Sequence, residues 1–240
     1  MSEPAAPVIL VHGAWSSARA WDGLVPLLAA KGRTVRAVDL PGHGSDPTPP
    51  GKVGLDDYAA RLADVLRDAP PALLVGHSMG GMAISAAAEL VPEKVRKLVY
   101  VAAFLPRDGE SLLDLIRRQD SPGIRDAVRP GPQPGTTVLS PQAALDVLCQ
   151  DATPAQRKGV AAGLGPQPNR AQTDKVRLTP ERFGRIPRAY VFCTRDLVVT
   201  PELQHAMVAA SPCAETFDID SGHLPQITRP RELADILNRL

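Results

Sequence analysis

Short apolar runs recur along this chain, with longer segments of helical period between them. Residues 8–11, 34–38, 73–75, 98–101, 189–193 and 216–219 read as strands. Several of these are apolar without alternation, as expected of strands covered on both faces. Leu55, Tyr58, Ala59, Leu62, Val65 and Leu66 keep helical spacing, and Pro70 and Pro71 close that segment. Met82, Ala83, Ile84, Ala86 and Ala87 predict a second helix ending at Pro92. Pro230 opens a last helix, in which Leu233, Ile236, Leu237 and Leu240 form one apolar stripe. The alternation predicts an α/β fold: a mostly parallel sheet flanked by helices.

The rhythm breaks at residues 106–184, which are rich in Pro, Gly, Gln and Arg, with helical spacing only at Leu112–Ile116 and 143–148. Composition alone permits a disordered linker there. An inserted cap is the better expectation, because sheet-like sequence resumes at Ala189 and a structureless loop of that length is uncommon inside a compact domain. The predicted organisation is a core of residues 1–105 and 185–240 carrying a cap of residues 106–184.

Within this frame Gly76-His77-Ser78-Met79-Gly80 places a serine between two glycines, directly after one apolar run and before a helix. That is the G-x-S-x-G nucleophile elbow, a strained turn that lifts a serine oxygen clear of the sheet. A serine hydroxyl needs an imidazole to take its proton. Of the five histidines, His12, His43 and His77 sit at glycine turns and His205 in a helical stretch. His223 follows the run 216–219 inside Ser221-Gly222-His223, a loop at a strand's C-terminal end, where α/β sites are built. In hydrolases with such an elbow the acid lies between serine and histidine in the chain. Asp196, just past the run 189–193, fits that order; Asp218 and Asp220 are rivals by proximity to His223, with Asp146 and Asp174 ranking lower. The expected oxyanion donors are the backbone N–H groups of Met79, after the nucleophile, and Ala14, in the loop after the first strand. His12 is expected to brace that loop. Gly13, Leu224 and Leu145 are the positions expected to face substrate.

The 27 basic and 26 acidic residues leave a net charge of +1. That argues against nucleic acid or an anionic membrane as partner and for a small molecule. The N-terminus shows no basic segment followed by a long apolar one, so no signal peptide is expected, and no apolar stretch is long enough to predict a membrane span. Cys149, Cys193 and Cys213 are too scattered for a metal site and odd in number, which fits reduced thiols in a cytoplasm. No cofactor and no metal are expected.

The segments VILVHGAWSSARAWDGLVPLL, VDLPGHG, LLVGHSMGGMA, LVYVAAFLP, RLTPERFGRIPRAYVFCTRDLVV and SGHLPQITRPRELADIL resemble the esterase and hydroxynitrile lyase family of α/β-hydrolases. That family includes plant methyl esterases and bacterial carboxylesterases. The resemblance spans nearly the whole chain and implies Ser78, Asp196 and His223 as triad, Ala14 and Met79 as oxyanion donors, a small cap and a homodimer. The S-selective lyase branch has a threonine after the loop histidine and a lysine after the catalytic one. Gly13 and Leu224 stand there instead. An apolar Leu224 cannot manage a cyanide leaving group, which demotes the lyase reading. The cap departs from the plant esterases in having no Phe, Tyr or Trp between Phe104 and Phe183. Leu112, Leu113, Leu115, Ile116, Leu145 and Leu148 are its aliphatic alternatives.

The expected activity is that of a serine carboxylesterase acting on a small, largely apolar ester through an acyl-enzyme. The alternatives are a biosynthetic thioesterase or cyclase using the same triad, and a small-molecule receptor that keeps a hydrolase shell.

Overall fold

A computed structural model describes residues 6–240 of the chain; residues 1–5, which carry most of the N-terminal stretch read above as lacking a signal peptide, lie outside the described residues. Nine strands are present among the described residues: β1 Val8–Val11, β2 Val35–Val38, β3 Ala72–His77, β4 Val95–Val101, β5 Val128–Pro130, β6 Thr136–Leu139, β7 Gln167–Pro168, β8 Arg188–Cys193 and β9 Glu215–Ile219. The helices are α1 Val25–Ala29, α2 Leu55–Arg67, α3 Gly80–Leu90, α4 Leu112–Ile116, α5 Pro141–Leu148, α6 Pro154–Gly163, α7 Arg170–Thr173, α8 Pro201–Ala210, α9 Pro225–Thr228 and α10 Pro230–Arg239.

Six strands form one parallel sheet in the order β2-β1-β3-β4-β8-β9. Its inner strands β1, β3 and β8 are buried on both faces because helices cover both, whereas the edge strands β2 and β9 are partly exposed. Ile9, Val11, Leu74, Leu98 and Tyr100 pack with residues of α2, α3 and α8 on one side. Val8, Leu10, Leu73, Val75, Val99 and Val191 pack against Trp21, Leu24 and Leu28 and against Leu233, Ile236 and Leu237 of α10 on the other. The predicted stripe of α10 thus does its work, each fully buried Leu or Ile contributing about 1.5–3 kcal/mol. The expected runs match the strands of this sheet to within a residue, with two exceptions: β3 runs on through Gly76 to His77, and β4 begins three residues earlier, at Val95, where Arg96 and Lys97 masked the strand pattern.

From β1 the chain passes outward to β2 and then back across to β3, so the sheet order reverses between β1 and β3. Loops leaving the C-terminal ends of those two strands part at this point, and a crevice opens between them. The elbow and the loop after β1 therefore meet there by topology.

Between β4 and β8 lie four helices and a second sheet, antiparallel, in the order β5-β6-β7. Leu112, Leu115, Ile124, Leu139, Leu145 and Leu148 of this segment join the same apolar cluster as α2 and α3. No helix among the described residues is long and apolar enough to cross a membrane.

Candidate active site

Ser78 stands at the turn between β3 and α3 with φ +54°, in the left-handed region that non-glycine residues rarely occupy. Two close approaches make the turn possible. A Cβ on Gly76 would lie 2.7 Å from the Gly80 carbonyl oxygen, and one on Gly80 would lie 2.8 Å from the Val11 and His12 oxygens. Backbone bonds then hold the strained residue: the Ser78 carbonyl accepts from the N–H groups of Gly81 and Phe104, each at 3.0 Å.

His223 Nε2 lies 3.0 Å from Ser78 Oγ, and His223 Nδ1 donates to Asp196 Oδ2 at 2.8 Å. Each partner leaves the end of a strand, Asp196 after β8 and His223 after β9. All three are buried. The other oxygen of Asp196, Oδ1, accepts from the N–H groups of Val198 at 2.7 Å and Val199 at 3.0 Å, which pins the carboxylate plane. Gln204 on α8 stiffens that turn by donating to the Val199 carbonyl at 2.7 Å and accepting from Cys193 N–H. The rival carboxylates are elsewhere: Asp220 pairs with Arg195 at 2.6 Å on the surface, and Asp218 points out from β9.

The N–H groups of Ala14 and Met79 donate to no protein acceptor among the described residues. Met79 also begins the turn into α3, so the positive end of that helix adds to the same field. Gly13 lies so near the elbow that a Cβ there would come 2.8 Å from Ser78 Cβ.

Sequence reading assigned no role to His77, which proves to be a brace. Its Nε2 donates to the His223 carbonyl at 2.8 Å, tying the elbow to the histidine loop across 146 residues of chain. Burial first, then the neighbouring His223 charge, hold its pKa well below the ordinary range. His77 therefore stays neutral when His223 becomes charged. His12 behaves as expected, its Nδ1 donating to the Gly13 carbonyl while Nε2 accepts from Leu40 N–H. A second buried assembly was also illegible. His43 donates to the Ser16 carbonyl and accepts from the Tyr58 hydroxyl, and Tyr58 in turn accepts from Gln167, whose Oε1 receives Trp15 N–H. It fixes the backbone just beyond Ala14, where Trp15 holds φ +55°. The pairing of Gln167 with residue 58 has no local signature that a sequence pattern could carry.

Two cavities meet at Ser78. One, of ≈ 390 Å³, is lined by Gly13, His223, Leu224, Leu148 and Val160 among others. The second, of ≈ 460 Å³, is lined by Met79, Phe104, Leu112, Leu113 and Ile116 among others. Of the positions expected to face substrate, Gly13 and Leu224 do line a cavity, whereas Leu145 lines neither. Its side chain is packed in the core, and Leu148, nearly one helical turn on, takes the lining place. Among the described residues no cluster of three or more His, Cys, Asp or Glu side chains could hold a metal ion.

Residues 8–236 match the model of the alpha/beta hydrolase family. The chain belongs to that family. Among curated relatives of this hydrolase, Esterase PIR7B of Oryza sativa subsp. japonica is 31% identical over 252 residues, covering 97% of this chain and 94% of the relative. Putative methylesterase 13, chloroplastic, of Arabidopsis thaliana is 30% identical over 244 residues, and there the chain spans only about half (54%) of the relative's length. The crystal structure of polyneuridine aldehyde esterase superposes with a TM-score of 0.85 at 26% identity, covering 98% of this chain and 99% of that one. The contact of Ser78, His223 and Asp196 is consistent with the triad of a carboxylic ester hydrolase.

Proposed function

We propose that this hydrolase is a serine carboxylesterase that cleaves a small, largely apolar ester through an acyl-enzyme. The observation that carries the reading is the unbroken Ser78–His223–Asp196 chain of hydrogen bonds beside two unpartnered backbone donors. His223 removes the Ser78 proton as Oγ attacks the ester carbonyl. The Ala14 and Met79 amides receive the oxyanion, an interaction worth about 3 kcal/mol per donor in comparable sites. His223 then passes the proton to the departing alcohol, and water repeats the sequence on the acyl-serine to release the acid. Asp196 keeps the imidazole in the tautomer with its proton on Nδ1 and stabilises its charged form. No step calls on a cofactor or a metal.

In this reading residues 106–184 form a cap over the substrate, supported by the place of Leu112, Ile116, Leu148 and Val160 around the cavities. A cytoplasmic location belongs to it too, supported by three free thiols, as does the homodimer implied by the resemblance, which sedimentation would check. The deciding experiment is hydrolysis of short and medium p-nitrophenyl esters by wild type and Ser78→Ala, with fluorophosphonate labelling of both. Turnover and labelling in wild type, with loss of both in the variant, are expected. A wild-type protein that neither turns over nor labels would overturn the reading.

A further inference from the structure

The two cavities are not one pocket seen twice. They share Ala14, Trp15, Ser78, Ile124 and Val198 at the point of contact, and then diverge to separate walls. Each volume lies on its own within the range of a complete small-molecule site.

Stereochemistry at the reacting carbon decides what each chamber receives. In the tetrahedral intermediate that carbon carries four groups: Ser78 Oγ, the oxyanion, the alkoxy oxygen and the acyl chain. The oxyanion must point to the Ala14 and Met79 amides. The alkoxy oxygen must lie within hydrogen-bond reach of His223 Nε2, which gives it the proton. His223 lines only the ≈ 390 Å³ chamber. The acyl chain takes the one direction left, away from His223, into the ≈ 460 Å³ chamber that Met79 lines and His223 does not.

Resting on the esterase reading above, we infer that the substrate is an ester bulky on both sides of the scissile bond. Its acid part lies among Phe104, Leu112, Leu113 and Ile116, and its alcohol part lies against Leu148, Val160 and Leu224. A methyl ester would leave the alcohol chamber empty and forgo that chamber's binding energy. Phe104, Leu112, Leu113, Ile116 and Val128 give the acid chamber a largely apolar wall, with Arg117, Gln119, Arg125 and Gln172 also lining it, so the acid part is largely apolar. In outline the ester RCO–OR′ and Ser78–OH give acyl-serine and R′OH, and water then gives RCOOH and free serine.

The test uses three esters: methyl 4-phenylbutanoate, bulky in its acid only; 4-phenylbutyl acetate, bulky in its alcohol only; and benzyl 4-phenylbutanoate, bulky in both. In wild type, kcat/KM for the last should exceed that for the first by roughly tenfold or more. Val160→Phe narrows the alcohol chamber. It should depress both bulky-alcohol esters by roughly tenfold while leaving methyl 4-phenylbutanoate little changed. Ile116→Phe narrows the acid chamber and should spare only 4-phenylbutyl acetate. If either variant fails to fold, Gly159→Phe and Leu113→Phe fill the same two chambers; a Cβ on Gly159 meets no atom within 4 Å. Exchanged effects, equal effects on all three esters, or a wild-type preference for the methyl ester would overturn the inference while leaving the esterase reading intact. Absence of both turnover and Ser78 labelling would sink that reading, and the inference with it.

Discussion

Asp196 uses its two oxygens for different ends, and this makes its amide a sharp probe. Val198 and Val199 donate to Oδ1, so in Asp196→Asn the amide oxygen must stay there and the NH₂ must face His223. An NH₂ cannot accept the Nδ1 proton. The imidazole is then driven to the other tautomer, with hydrogen on Nε2, and can no longer receive the Ser78 proton. Turnover should fall by about 10⁴-fold with the fold intact, as in triads where this tautomer is imposed. Steady-state kinetics beside a thermal melt checks it, and near-normal turnover would show that Asp196 is not the orienting acid. At this scale the sequence carried much of the site. Ser78 lies in a motif, and Asp196 and His223 each follow a strand in the order that motif demands. His77, Gln204 and Gln167 gave no comparable signal, because a buried polar side chain is defined by partners far along the chain, and those partners appear only after folding.

The meeting of the β1 loop and the elbow is a matter of elements. A Cβ added at Gly13 would meet Ser78 Cβ at 2.8 Å and His77 Nδ1 at 3.0 Å. Gly13→Ala should therefore push the two loops apart, costing about 1–3 kcal/mol as overpacking does. It should also lower kcat, since it moves the Ala14 donor relative to Ser78 Oγ. Urea unfolding and ester kinetics on the same preparation test both halves. Unchanged stability and unchanged kcat together would mean that the loops yield without cost. The strands around this junction were legible because each is a short apolar run buried on both faces. The antiparallel sheet β5-β6-β7 was not. Its strands have three, four and two residues, too few to establish a period of two, and β6 pairs with β7 about thirty residues away. α5 opens at Pro141, two residues before its helical spacing becomes apparent, because a proline at the first turn starts a helix without belonging to its apolar face.

Across the whole molecule the buried histidines link the site to global stability. His12 and His43 each donate from one ring nitrogen and accept on the other, so neither can take a second proton without losing a bond. Burial lowers the pKa of both. For His43, burial and then the neighbouring His12 bring it to about 3, and His77 is likewise held well below the ordinary range. In the unfolded chain these rings titrate near pH 6.5. Below that pH the unfolded state binds protons that the folded state refuses, so stability is complete above about pH 6.5 and declines as pH falls toward the folded-state values. Each ring that stays neutral removes about 1.4 kcal/mol per pH unit, so His43 and His77 together remove up to about 3 kcal/mol per unit, and His12 acts in the same direction. Urea unfolding at pH 7.5 and pH 5.5 should show a loss of that order, and His43→Gln should make the slope shallower by the share of one ring. A stability unchanged over this interval would mean that the rings are protonated in the folded protein. The bonds from His12 and His43 to the loop around Ala14 would then not exist as described. Because those rings, with His77, hold the Ala14 loop, the elbow and the His223 loop together, acid should erode activity along with stability.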